Sequence, residues 1–146
     1  MIKVSQKLEL YHAEIVRRVE KKKRAVLFKQ GGYLRTTMQR SMRYATSPKQ
    51  RSRPGRPPLA HKRMGALLRK LIAFDVEGDT VTVGPKIFAG SKVRSSKTLP
   101  ELLDKGGVTE IGAKRVSVHI AARPYTEPTF SDGGEHFRRL IETERL

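Results

Sequence analysis

Residues 46–60, TSPKQRSRPGRPPLA, divide the chain and limit what it can become. Four prolines and a glycine stand among Lys49, Arg51, Arg53 and Arg56, with almost nothing to bury. Packing therefore cannot offset the entropy of fixing this stretch as helix or strand. Proline favours polyproline-like extension and neighbouring cations repel, which predicts an arm that reaches outward unless a partner collapses it. The core must come from the flanking segments. The chain has 146 residues, enough for one compact domain and too few for two ordinary ones. The expected organisation is a single domain over 1–146, with a helical basic region at 1–45, an extended basic arm at 46–61 and a sheet-plus-helix base at 62–146.

Before the arm, Val4, Leu8, Tyr11, Ile15, Val19 and Val26 recur at helical spacing, which predicts an amphipathic helix from residue 5 to about residue 29. Gly31-Gly32 reads as its end or a kink, or else as a place where another backbone packs closely. Leu34, Met38 and Met42 then restart the stripe as a second helix to about Tyr44. After the arm, Met64 to Lys70 predict a short helical turn. Leu71 to Val76 and Thr80 to Gly84 predict a hairpin around Glu77-Gly78-Asp79, and residues 85–97 a polar loop. Thr98 and Glu101 have capping-box spacing, and Gly106-Gly107 supplies a stop, so Leu99 to Lys105 reads as a helix. In Lys114 to Ala122, Val116, Val118 and Ile120 alternate as a third strand. Asp132 with Glu135 caps a final helix bearing Phe137, Leu140 and Ile141. The expected fold class is α+β: N-terminal helices and a C-terminal helix on a small, mainly antiparallel sheet, with an extended Pro/Arg-rich arm.

The formal net charge is +17, and it is confined to one half. Residues 1–70 hold 20 Lys and Arg against 3 acids, whereas residues 71–146 hold 11 against 11. The first half should therefore attract polyanions or acidic protein surfaces. Lys49, Arg51, Arg53, Arg56, Lys62 and Arg63 are the candidate contacts, for phosphates, for an acidic protein neighbour or simply for solvent. Stacking aromatics are missing from Thr46 to Lys70, which argues against single-strand or sequence-specific RNA recognition. The run from Arg17 to Arg24 reads as a solvated or subunit-interface face.

Other function classes find little footing. With no cysteine there is no disulfide framework and no thiolate metal site, which suits the cytoplasm. No stretch reaches the roughly 18 apolar residues of a membrane span, and MIKVSQKLEL lacks a signal-peptide core. Phosphate-loop, dinucleotide, nucleophile-elbow and zinc-protease motifs are absent from the sequence, so the expectation is no enzyme, no cofactor and no metal. His12, His61, His119 and His136 are scattered, and Asp75, Glu77 and Asp79 read as a solvated turn rather than a nuclease metal site.

Several motifs in order nonetheless point to one family. They are Gly31 through Arg43 (GGYLRTTMQRSMR, with Gly32, Leu34 and Arg35), Pro54 to Pro58 (with Pro57 and Pro58) with His61, and Gly65 to Arg69 (with Leu67 and Leu68). Thr80 to Pro85 (with Gly84 and Pro85) follows, then Leu99 to Gly107 (with Pro100, Leu102, Leu103, Gly106 and Gly107), and then Arg123 and Pro124 before Tyr125 and Pro128. From about Gly31 to Phe130 the chain resembles the tail-component, or neck protein, family of tailed bacteriophages, departing from it at Thr129 to Gly134 and in the charge of its arm. The resemblance implies a virion structural protein that joins head to tail, completes the tail or terminates it. It implies a ring of identical copies, sixfold in many such proteins, around the DNA channel. The implied partners are head-connector and tail-tube proteins, with nonspecific contact to packaged DNA and no membrane, assembled in the host cytoplasm. No catalytic residue is implied. The alternative from charge alone is a small basic nucleic-acid-binding protein.

Overall fold

The computed structural model describes residues 2–62, 67–86, 99–111 and 116–144. Their order is α1 (Ile2–Ser41), α2 (Leu67–Leu71), β1 (Ile72–Glu77), β2 (Thr80–Pro85), α3 (Leu99–Lys105), β3 (Gly107–Ile111), β4 (Val116–Ile120) and α4 (Glu127–Glu144). The class is α+β. Met64 to Ala66, most of the expected polar loop and the Thr98 cap lie outside the described residues.

α1 is one helix of 40 residues, about 60 Å long at 1.5 Å per residue. The expected break at Gly31-Gly32 does not occur. The glycine is there because of a neighbour: a Cβ on Gly31 would run into the ring of Phe74 on β1. Nor does another backbone pack there: the close neighbour of Gly31 is a side chain, and Gly32 has open space. Burial around the glycines offsets their poor helix propensity, which costs about 1 kcal/mol each. Leu34 and Met38 of α1, with Met42 just past its end, close over Ile72, Val83 and Tyr125, and Tyr33, Leu68, Phe74 and Val81 pack against that cluster. Phe28 meets Phe74 edge-on at 5.9 Å.

The same correction applies to α4. It begins at Glu127, not at the Asp132–Glu135 pair, and runs through Gly133-Gly134. A Cβ on Gly133 would collide with Leu34, so this glycine too marks a close contact, here between two helices. Beside it, buried Gln30 donates from Nε2 to the Gly133 carbonyl at 2.8 Å. Its Oε1 lies 2.9 Å from His136 Nδ1, whose ring stacks on Tyr33 at 3.6 Å. A polar latch thus lies within the α1–α4 contact, with both ends of the amide used.

The β1–β2 hairpin forms as expected, antiparallel with Phe74 opposite Val83 and Glu77 opposite Thr80. Gly78 takes a φ of 55° in the turn, a left-handed value that favours glycine. The other expected strand has a partner that the sequence did not suggest: β4 pairs antiparallel with β3, Val118 opposite Thr109. The result is two separate two-stranded sheets. Val116 and Val118 alternate as expected, yet their side chains are exposed.

α3 stops as expected at Gly106, whose φ is 75°. Its Asp104 clasps the start of α4, accepting from the backbone N–H of Tyr125 at 2.8 Å and of Thr126 at 3.2 Å, and from the Thr126 hydroxyl. The carboxylate satisfies donors at a helix N-terminus, where negative charge is favourable.

Candidate functional site

Residues 46–61 carry no helix or strand, as expected, but they are not an outstretched arm. Tyr44 and Ala60 form an isolated parallel bridge. Ala45 donates to the Ala60 carbonyl at 3.0 Å, and Ala60 donates to the Arg43 carbonyl at 2.8 Å. The segment is therefore a closed loop with adjacent ends, of the Ω kind. Within it, Leu59 N–H donates to Ser52 Oγ at 2.9 Å, and Gln50 Oε1 accepts from Thr46 N–H and Oγ1. Gly55, at φ 73°, donates its N–H to the Ala122 carbonyl at 2.8 Å. Hydrogen bonds to backbone and hydroxyl groups, together with buried Pro58 and Ala60, do what composition could not reveal.

Closing the loop makes an open cleft of about 1200 Å³. Lys49, Arg51 and Lys62 line it, joined by Tyr44, His61 and Arg123. No carboxylate is among its lining residues. None of its four cationic side chains takes part in an ion pair among the described residues. Such a concave surface of one sign focuses potential and suits a phosphate or carboxylate anion.

Three of the six candidate contacts are thus gathered. Arg53 and Arg56 are exposed in the turn around Gly55 and do not line the cleft. Arg63 lies outside the described residues. Arg123 was notable in the sequence only as a motif residue. Its backbone N–H donates to the Leu103 carbonyl at 2.7 Å and its Nη1 to the Ala121 carbonyl at 3.2 Å, while its buried Nε has no partner. An orphaned buried donor of this kind is costly unless a ligand or water meets it. Tyr44 stands two residues before the stretch in which aromatics were sought, with the Arg69 guanidinium 4.6 Å from its ring centroid.

Most of the described residues that carry the sequence resemblance hold the fold together. Leu34 and Leu102 are buried, and Leu68 packs against the core. Arg35 Nε donates to the Ile72 carbonyl at 3.1 Å. Pro100 accepts from the Tyr125 hydroxyl at 3.2 Å, and Gly106 lies against the backbone of Ile120 and Ala122. Leu67 is exposed, and Gly32 has open space where a Cβ would stand.

The Asp75, Glu77 and Asp79 turn offers no assembled metal site. Asp75 accepts from the Val76 N–H, and Asp79 pairs with Lys23 at 2.6 Å. Among the described residues no group of three or more metal-ligating side chains converges, and no helix is long and apolar enough to cross a membrane. Compared with known protein families, characterised proteins and solved structures, the chain matches none.

Proposed function

We propose that this chain is a structural protein of the tailed-phage neck, which joins head to tail, completes the tail or terminates it as a ring of copies around the DNA channel. One observation carries the reading: α1 has an outer half whose apolar side chains Tyr11, Ile15 and Val19 are exposed next to a dense basic run. Exposed apolar surface rimmed by charge marks an interaction site, and an assembly protein needs such surfaces on every copy. The ordered motifs between Gly31 and Phe130 support the same reading.

Inactivating the gene in the phage that encodes it tests the proposal. Unjoined heads and tails in the lysate are the expected result, and normal infectious particles would refute it. The cleft favours a second reading, a nucleic-acid-binding module. That reading requires tight binding of the free chain to duplex DNA, falling steeply with salt, and joined particles without the gene product.

A further inference from the structure

The chain leaves part of its own α1 stripe uncovered. Tyr11, Ile15 and Val19 are 64, 59 and 51 % exposed, whereas Val26 is 2 % exposed. Eleven residues make close to three helical turns, so Ile15 and Val26 face nearly the same way. The face with which α1 packs on the body therefore continues past the body's edge. An unbroken helix cannot fold back over itself, so covering this stretch takes a surface from outside α1.

Charge selects which surface that is. Arg17, Arg18 and Lys21 to Arg24 surround the stripe, against Glu14 and Glu20. Laying two such stripes together would bring these cationic runs side by side, so the stripe should meet an apolar strip with acidic edges instead. α4 has one. Phe130 and Ile141 are 45 and 37 % exposed and are again eleven residues apart. Gly134 lies between them with open space where a Cβ would stand. Beside them an apolar groove of about 330 Å³ is lined by Leu27, Leu34, Val81, Phe130 and Phe137. Glu127 and Glu142 are exposed near the two ends of the strip with the exposed Arg138 between them, and none of the three is in an ion pair among the described residues, so the carboxylates outnumber the cation along it by two to one.

We infer that the Tyr11–Ile15–Val19 stripe of one copy docks along the Phe130–Gly134–Ile141 flank of α4 on a second copy. The contact is head-to-tail: each copy offers its α1 stripe to one neighbour and its α4 groove to another. Such contacts close into a ring when the rotation allows and otherwise extend as a filament. Only closure around a channel rests on the neck reading; the docking stands on these two surfaces and is tested without particles.

Light scattering on the purified full-length protein gives the test. Wild type should be oligomeric. The double variant Ile15→Asp/Val19→Asp alters exposed positions on the α1 stripe, and Gly134→Arg fills the notch where a side chain has room; each should be monomeric with unchanged circular dichroism. Mixing the two should produce a one-to-one pair and nothing larger, because only one intact stripe and one intact groove remain. A monomeric wild type, oligomers that persist in either variant, or a mixture without pairs would each overturn the inference.

Discussion

At the residue scale, two glycines decide how α1 meets β1 and α4. Gly31 and Gly133 sit inside helices where a Cβ would run into Phe74 and Leu34, so a methyl group at either position overpacks a contact. Gly31→Ala should lower stability by about 1–3 kcal/mol. Gly32→Ala, next to it and with open space, should raise stability by up to about 1 kcal/mol through helix propensity. Urea denaturation of the two variants checks the pair, and equal shifts would contradict the contact. The sequence could not separate these roles. A double glycine looks the same as a helix stop and as a contact, and what distinguishes them is Phe74, 43 positions further along. Gly78 and Gly106 were legible because their left-handed conformations serve a turn and a helix end within a few residues.

At the scale of elements, the clasp between α3 and α4 depends on Tyr125 and Asp104. Tyr125 is 1 % exposed, and burial, followed by the negative charge of Asp104, pushes its phenol up to about 12 from 10.0. The unfolded chain then loses this proton at a lower pH than the folded chain. The contribution of the neutral phenol is complete below pH 10 and is lost as the pH rises to 12, a loss on the order of 2 kcal/mol. Denaturation across that window should show the decline in wild type and a smaller one in Tyr125→Phe. The β1–β2 hairpin was readable because its alternation and its turn are local. β3 was missed because Gly107 to Ile111 is short, begins on the second of two glycines and is a strand only through pairing with β4. Alternation at Val116 and Val118 gave the strand correctly, but it carries no information on whether anything covers that face.

For the whole molecule, the charge asymmetry was plain in the sequence, while its shape was not. Composition suggested an outstretched arm; backbone hydrogen bonds of Ala60 with Arg43 and Ala45, and between Gly55 and Ala122, fold it into a cleft that also includes Arg123. Lys49→Ala/Arg51→Ala should reduce the salt dependence of DNA binding by a slope of up to about 2, against about 1 for Arg123→Ala, if each cation meets one phosphate. A fluorescence titration over a range of salt concentrations measures both, and unchanged slopes would place any DNA contact elsewhere. The proposed assembly into a neck ring is checked by averaged electron-microscope images of purified tailed particles with an antibody fragment marking this chain. The fragment should appear in a rotationally symmetric collar at the head–tail junction; particles that never carry it, although the protein is abundant in the lysate, would refute the ring.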